Sequence, residues 1–517
     1  MPRNTTSAGA EGAKTELPKL IYGVDIRGMP LADIQKTREE KIAALRKSHA
    51  DPYPPTSART HPIVDALQRF GALAAAKDVL TLAGRMMLKR EHGGATFFHF
   101  RDGSGAIQAY AKKDMLGAEA YAAFLELFDV GDFVEVEGPL FETKKGEKTI
   151  EARRIRMLAK SLRPLPEKWH GLQDVEERYR KRYLDLVMNP EVRERFITRS
   201  RLVGLLRDFF LQNGFMEVET PLLHTIPGGA LAKPFETRLA TLDLDLYLRV
   251  APELYLKRLL IGGFDRVFEI GKCFRNEGMD KEHNPEFTEC EAYAAYTDYE
   301  WLMAYTEHLF LHLIGEGLQK KHPIIAYADG ELDLTTPWPR IEFNDALKTH
   351  AGLDFWENNE KDFREKVNEL GLTVEKSPSK TALADELFKK IVRPKMQNPV
   401  FIINHPVELS PLAKNHRDDP RKVERFQLLA GGMEIANAFT ELNDPAEQRR
   451  RFLEQEKERG RGDAEAMRFD EDFIEALEYG MPPAAGIGIG IDRMVRLLTD
   501  APNLREVIAF PTMRPKS

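Results

Sequence analysis

The spacing of apolar positions changes along the chain. In residues 31–54 they recur with helical spacing, and the stretch ends at its prolines. From residue 81 to 158 apolar and polar positions alternate, which predicts strands. Residues 199–215 return to the helical period and carry one apolar stripe, formed by Leu202, Leu205, Leu206, Phe209 and Phe210. The stripe predicts either packing into a core or an interface with a second subunit.

The alternating region divides into five short strands. They read TLAGRMML, ATFFHFRD, AIQAYAK, DFVEVEGPL and TIEARRIRML, and the helix-like AEAYAAFLELF separates the third from the fourth. This order predicts a five-stranded OB-type barrel, and the sheet face of such barrels commonly binds single-stranded nucleic acid through aromatic and polar side chains. The candidates are Phe97, Phe98, Phe100 and Gln108. Because successive residues of a strand point to opposite faces, at least one of Phe97 and Phe98 must point into the barrel interior.

Changes in composition divide the chain into three parts. Residues 1–65 hold a small, polar tail, which we expect to be disordered, and the first helix. Residues 66–165 form the barrel domain, and the stretch RPLPEKWHG at its end is typical of a linker. Residues 166–517 form the larger domain.

Composition narrows the function classes. A chain of 517 residues with 42% apolar content can bury substantial cores, and its net charge of -7 confines any nucleic-acid contact to a local patch. No apolar run approaches the ~20 residues that cross a bilayer, so we expect a cytoplasmic protein without membrane contact. The two cysteines, Cys273 and Cys290, lack the spacing of a zinc cage, and we expect them to be half-buried and reduced.

A charged stretch, FRNEGMDKEHNPEFTE, joins two strand-like segments. Because a strand alternates with a period of two, one face of the second segment carries Phe287, Glu289, Glu291 and Tyr293. We expect Arg275 and Glu277 to share a face of the preceding strand. A guanidinium beside an aromatic ring suits a nucleotide, with the guanidinium on phosphate and the ring on the base. A salt-bridged surface hairpin is the disfavoured alternative.

The stretch GIGIGIDRMVRLL predicts a strand that enters a helix. It begins at Gly486 and matches neither the dinucleotide fingerprint nor the P-loop. Glycines at alternate positions leave one face of the strand without side chains, which suits either a flat ligand or tight packing. Arg493 falls at the start of the helix, where it could hold an anion.

The stretch RFQLLAGGMEIANAFTEL indicates a hairpin that turns at its two glycines. In a hairpin Asn437, Phe439 and Glu441 share a face, and Glu434 joins them only if the strand contains a bulge. A helix would instead align Glu434, Asn437 and Glu441, and the sequence leaves both possibilities open.

Together these stretches resemble the class II aminoacyl-tRNA synthetases, specifically the lysyl-tRNA synthetase family, over residues 31–515. GFMEVETPLL resembles motif 1, FRNEGMDKEHNPEFT motif 2 and GIGIGIDRMVRLL motif 3. The segments similar to the lysine-specific branch are HGLQDVEERYRKRYLDL, PGGALAKPFET, APELYLKRL and NAFTELNDP. The resemblance implies an α+β fold, with an N-terminal OB-type barrel followed by an antiparallel sheet flanked by helices, and a homodimer built on motif 1.

The resemblance also implies a reaction. Lysine would be activated by ATP to lysyl-adenylate, with Mg²⁺ as cofactor, and then transferred to the 3′ end of tRNA(Lys). The implied ATP-binding residues are Arg275, Glu277, His283, Phe287, Glu434 and Arg493, of which Arg275 and Arg493 would be catalytic. The implied lysine-binding residues are Gly229, Glu253, Arg275, Glu291, Tyr293, Asn437, Phe439 and Glu441. Phe97, Gln108 and Glu147 match positions that contact the tRNA anticodon.

One position departs from the family pattern. Where family members commonly carry Glu, this chain has Gln427, which would pair with Glu434 as a magnesium ligand. An amide oxygen can coordinate Mg²⁺ but brings no charge, so we expect weaker binding of this ion or fewer ions.

Three alternatives are weaker. Relatives that attach lysine to proteins lack an anticodon-binding domain. The substrates of the aspartyl and asparaginyl enzymes would favour cations in the specificity pocket. Glu291 and Glu441 of this chain instead favour a cationic substrate. A non-catalytic RNA-binding relative could lose its phosphate-binding arginines, whereas Arg275 and Arg493 are present.

Overall fold

A computed structural model of the chain describes residues 30–166, 172, 174–372, 379–460 and 465–515. The polar tail up to residue 29 and residues 167–171 of the expected linker lie outside these ranges. The chain divides into two compact units, Met1–Met188 and Asn189–Ser517. Within the described ranges, no helix combines the length and the apolar character needed to cross a membrane.

The first unit follows the predicted order of strands and helices. Its described helices are α1 (Leu31–Lys47), α2 (Ile63–Gln68), α3 (Phe70–Ala76), α4 (Lys113–Leu116), α5 (Ala118–Leu127), α6 (Val175–Arg180) and α7 (Arg182–Met188). Its described strands are β1 (Val79–His92), β2 (Ala95–Arg101), β3 (Ala106–Lys112), β4 (Phe133–Glu142), β5 (Lys148–Ala152) and β6 (Arg154–Ala159). Strand order is β1-β2-β3-β5-β4-β6, and the pairing of β1 with β4 closes the OB-type barrel.

The predicted fifth strand is divided in two at Arg153. Its first half, β5, pairs with β3 and β4, whereas its second half, β6, pairs with β4 alone. The two backbones approach closely beside this division, since a Cβ atom at Gly138 of β4 would lie 1.7 Å from the carbonyl oxygen of Glu151.

Phe98 and Phe100 are fully buried in the barrel core, so their candidacy for the binding face is wrong. Alternation places Phe97 on the opposite, half-buried side of β2. Leu45 and Ile63, from α1 and α2, belong to the same core. The first helix therefore packs with the barrel. Helices α6 and α7 also belong to this unit. The predicted domain limits at residues 66 and 165 stay a prediction.

The second unit is built around a largely antiparallel sheet. Its described helices are α8 (Pro190–Gln212), α9 (Glu253–Ile261), α10 (Tyr299–His312), α11 (Phe343–Ala351), α12 (Glu360–Glu369), α13 (Lys380–Leu387), α14 (Pro445–Gly460), α15 (Glu471–Glu478) and α16 (Ile491–Leu498). Its described strands are β7 (Met216–Glu217), β8 (Leu223–His224), β9 (Glu236–Leu239), β10 (Leu244–Leu248), β11 (Arg266–Phe274), β12 (Glu286–Ala295), β13 (Ile324–Tyr327), β14 (Gly330–Asp333), β15 (Arg340–Glu342), β16 (Val400–Ile403), β17 (Arg425–Ala430), β18 (Met433–Thr440) and β19 (Ala484–Gly490). The main sheet runs β15-β16-β17-β18-β19-β12-β11-β7.

One face of the main sheet packs against helices. The even-numbered residues of β12, Cys290, Ala292 and Ala294, join the core cluster that contains residues of α8, α10 and α16. The apolar stripe of α8 enters this cluster, with Leu202, Leu206 and Phe210 fully buried and Leu205 and Phe209 packed against it, which supports the core interpretation. Both cysteines are free and fully buried, so the expectation of half-burial is wrong.

Candidate active site

A cavity opens on the other face of the main sheet, over β12, β18 and β19. Most of the residues expected to bind ATP and lysine line it, namely Gly229, Glu253, Arg275, Glu277, His283, Phe287, Glu291, Tyr293, Glu434, Asn437, Phe439 and Arg493. Glu441 and Gln427 do not line the cavity but lie fully or largely buried next to it. The predicted shared face of β12 is observed, because its odd-numbered residues turn away from the helix-packed core.

One end of the cavity is acidic and buried. The hydroxyl of Tyr293 donates to Glu291 Oε2 at 2.8 Å, and both side chains are at most 5% exposed. Burial raises the pKa of Glu291 well above its usual range, and the nearby Glu289 and Glu253 raise it further. Burial also raises the pKa of Tyr293. Carboxyl groups therefore outnumber cations at this end of the cavity, which suits a cationic ligand.

Glu441 lies beneath the acidic end and is completely buried. Its Oε2 atom is 2.5 Å from the ammonium of Lys257, whereas Oε1 has no hydrogen-bond partner among the described residues. Burial raises the pKa of Glu441 to about 8, with Lys257 opposing the rise and Glu253 adding to it. The same ammonium lies 2.5 Å from Glu253 Oε1.

Two glycines make room for these groups. A Cβ atom at Gly486 would lie 2.3 Å from both Glu441 Oε1 and the Tyr293 ring, so β19 packs tightly there, although Gly486, Gly488 and Gly490 also line the cavity. Gly229 has a φ of +90°, and a Cβ atom would lie 3.0 Å from that of Glu253.

The other end of the cavity is cationic. The strand β11 ends at Phe274, so Arg275 and Glu277 lie in the loop that follows, and the expectation that they share a strand face is wrong. The Arg275 guanidinium lies over the ring of Phe287 at 4.9 Å and forms no ion pair within the described part of the chain. Arg493, in the first turn of α16, donates to the carbonyl oxygen of Glu434 at 3.1 Å and lies 3.3 Å from His283 Nε2.

The hairpin interpretation of β17 and β18 is confirmed, and so is the bulge. The register passes from Leu428 opposite Ala436 to Leu429 opposite Glu434, which leaves Ile435 as the extra residue. Glu434 thereby reaches the cavity together with Asn437 and Phe439.

Several cations surround Glu434, and the pKa of the nearby Glu289 is raised by burial and further by Glu434. Arg393 contacts the Oε2 atom of Glu434 at 3.1 Å. Burial by itself raises the pKa of Glu434, but the nearby Arg393, Arg493 and Arg425 outweigh burial and lower it. Gln427 donates its amide to the same oxygen at 3.2 Å, and its Oε1 atom faces His405 Nε2, also at 3.2 Å. No group of three or more His, Cys, Asp or Glu residues in the described ranges could hold a metal ion by itself.

The expected anticodon residues share the outer face of the barrel. Gln108 donates to Glu147 Oε2 at 2.7 Å and accepts from the hydroxyl of Thr149 at 2.9 Å. Phe97 packs against Tyr110, with ring centroids 4.7 Å apart. His99 Nε2 lies 2.8 Å from Glu147 Oε1. The face thus combines two rings with a connected set of polar groups.

Sequence reasoning missed several of these residues. His99 and Tyr110 were recoverable, because they alternate with Phe97 and Gln108 on the predicted strands. Arg425, which lines the cavity and donates to Asn437 Oδ1 at 2.8 Å, gave no local signal. Lys257 gave none either, since a lysine in a helix is usually exposed.

Comparison with known proteins places the chain among tRNA synthetases. The family model for tRNA synthetases class II (D, K and N) matches residues 174–514, and the model for the OB-fold nucleic acid binding domain matches residues 80–158. The lysine–tRNA ligase of Pelotomaculum thermopropionicum is 48% identical over 98% of this chain and all of the relative. Those of Carboxydothermus hydrogenoformans and Thermotoga maritima are 50% and 46% identical over 94% of this chain, covering 99% and 97% of the relatives.

Proposed function

We propose that this chain, which belongs to the lysine–tRNA ligase family of class II tRNA synthetases, activates lysine with ATP and transfers it to the 3′ end of tRNA(Lys). One observation carries the assignment of the pocket. A single strand, β12, presents a ring near two arginines at one end of its cavity face and buried carboxyl groups at the other. A triphosphate and an ammonium are the ligands that such opposite ends favour.

The first step needs no enzyme nucleophile. The carboxylate of lysine attacks the α-phosphate of ATP, the bond to the β-phosphate breaks, and pyrophosphate leaves. Arg275 holds the α-phosphate and the lysine carboxylate, Arg493 holds the γ-phosphate, and His283 assists at the phosphates. Phe287 stacks on adenine, and Glu277 accepts from its edge. Positioning and neutralisation of charge carry the rate.

Lysine is oriented by its two ammonium groups. Gly229 and Glu253 receive the α-amino group, while Glu291, Tyr293, Asn437, Phe439 and Glu441 surround the side chain. The unpartnered Oε1 atom of Glu441 supports this assignment, because a buried carboxylate oxygen without a partner is costly until a cation reaches it.

In the second step the terminal ribose 3′-hydroxyl of tRNA attacks the carbonyl carbon of lysyl-adenylate, the bond from that carbon to the phosphate oxygen breaks, and AMP leaves. The outer face of the barrel reads the anticodon, with Phe97 stacking on a base and Gln108 and Glu147 reading base edges. We expect Phe97→Ala to raise the KM for tRNA without changing exchange measured in its absence. If Phe97→Ala changed both the KM for tRNA and the exchange without tRNA, or neither of them, the result would count against the anticodon assignment.

The family also implies Mg²⁺. Its chemistry would be the neutralisation of the triphosphate, and the residues fit an ion held mainly by phosphate oxygens, with Glu434 supplying one carboxylate. Gln427 fits less well, since its amide nitrogen faces Glu434, and its oxygen could become a ligand only if the amide turned over.

A homodimer fits the exposed apolar side chains around motif 1. Those with at least 40% exposure are Ile197, Leu211, Met216, Leu222 and Leu223. Burial of such a set between two copies is expected to stabilise a dimer. Light scattering should give twice the mass of one chain. We also place the protein in the cytoplasm.

Exchange of pyrophosphate into ATP tests the function directly. Lysine should support exchange without tRNA, and charging of tRNA(Lys) should follow when tRNA is added. Exchange with aspartate in place of lysine would overturn the substrate assignment, and a lack of exchange with any amino acid would favour a non-catalytic RNA-binding protein.

A further inference from the structure

A buried lysine of the protein lies next to the acidic end of the cavity without lining it. Lys257 lies on α9, is completely buried, and places its ammonium 2.5 Å from an oxygen of Glu253 and 2.5 Å from an oxygen of Glu441. Glu253 lies one turn earlier on the same helix, whereas Glu441 follows the end of β18. The ammonium therefore ties two separate elements together.

The surroundings hold this ammonium in one place. The rings of Phe439 and Phe473 lie 5.4 and 5.9 Å from it, within the range of cation–π attraction. A buried ammonium that left its carboxylates would be strongly unfavourable, so the contact is expected to persist. When Glu253 and Glu441 are both ionised, the two carboxylates and one ammonium leave one negative charge, and the Oε1 atom of Glu441, which has no hydrogen-bond partner among the described residues, can accept from a ligand ammonium.

We propose that Lys257 is a positioning residue that fixes the separation of Glu253 and Glu441 and thereby selects lysine over shorter diamino acids. The proposal rests on the proposed function, in which these carboxylates receive the two ammonium groups of the substrate. Because both are held by one ammonium, they cannot move closer together to receive ornithine, whose side chain is one methylene shorter.

The test compares lysine with ornithine in pyrophosphate exchange. In Lys257→Met the two carboxylates lose their common partner. We expect the KM for lysine to rise by about tenfold or more, kcat to change less, and the KM for ATP to stay as in the unaltered protein. The ratio of kcat/KM for lysine to that for ornithine should fall by about tenfold, within the ~10- to 200-fold range that one methylene can give. Lys361→Met, on an exposed helix side, is the matched control.

Lys257→Arg covers the case in which Lys257→Met fails to fold. It retains the cation, so the buried carboxylates stay compensated, but the planar guanidinium changes their separation. The lysine-to-ornithine ratio should again fall. A ratio equal to that of the unaltered protein in either folded variant would overturn the positioning role. If the unaltered protein itself shows no lysine-dependent exchange, the proposed function fails instead.

Discussion

The two ends of the cavity handle their charges differently. At the acidic end, Glu253 and Glu441 are buried and share Lys257 as an internal partner. At the cationic end, Arg275 contacts a ring and Arg493 contacts a backbone carbonyl and a histidine. The acidic end is thus fixed in advance by its own ion pairs, whereas the arginines keep much of their hydrogen-bonding capacity for a ligand.

This difference indicates a division of labour. A pre-arranged, buried set of carboxyl groups discriminates by geometry, because any mismatch leaves a desolvated charge without a partner. Arginines with weak internal partners can follow the phosphates as charge moves toward the leaving group. Substitutions at the acidic end should therefore change which amino acid is used, and those at the cationic end should change how fast any amino acid is activated.

The largest expected effect is at the cationic end. Arg275→Ala removes the group assigned to the α-phosphate, and loss of one such donor typically lowers the rate by about 10²- to 10³-fold. Lysine-dependent pyrophosphate exchange measures it, with Arg450→Ala on the exposed side of α14 as the control. An effect confined to the KM for lysine would contradict the division between the two ends.

Glu441→Gln probes the acidic end and its pH dependence. The substrate ammonium needs the carboxylate form, so lysine affinity should increase by about tenfold between pH 6.5 and 7.5 and level off above the pKa of about 8. Glu441→Gln should weaken the binding of lysine and remove the pH dependence of its affinity, both measured by calorimetry with lysine. A pH profile that the substitution leaves unchanged would count against Glu441 as the receiving group.

The same group affects folding with a defined sign. Burial raises the pKa of Glu441, so the folded protein without ligand retains a proton that the unfolded chain releases above its ordinary pKa. The contribution of Glu441 to stability is therefore greatest at low pH and falls as the pH rises toward about 8. Lysine should offset this loss and raise the Tm more at pH 8 than at pH 6.5.

Phe287→Ala tests the ring at the cationic end. If the ring stacks on adenine, its loss should weaken ATP by ~1 to 3 kcal/mol and leave lysine affinity nearly unchanged. Binding of ATP measured by calorimetry checks this, and Phe97→Ala on the barrel face serves as an aromatic control outside the cavity. An unaltered ATP affinity would reject stacking.

Regular alternation explains which parts of the fold and site were predictable. The shared face of Phe287, Glu291 and Tyr293 follows from a period of two along strands, whereas Glu434 reaches the cavity through a bulge that the sequence left open. Arg275 was misplaced because β11 ends before it, and loop geometry has no such period.

Long-range pairing explains what could not be predicted. The partnership of Lys257 with Glu441 joins α9 to the end of β18, and nothing in either segment alone indicates it. The division of the fifth barrel strand at Arg153 likewise lies beside Gly138, a close neighbour from a different strand.

The smallest expected effect concerns Gln427, at the cationic end. Gln427→Glu would place a second carboxylate beside Glu434, where Arg393 and Arg425 can compensate its charge. We expect the Mg²⁺ concentration for half-maximal exchange to fall by a few-fold, roughly what one added carboxylate ligand near a hard cation gives. Gln397→Glu, on an exposed loop, controls for a general change in charge. An unchanged or increased Mg²⁺ requirement would mean that the amide bonded to His405 stays outside the coordination of the ion, and that the cationic end relies on its arginines for most of the phosphate charge.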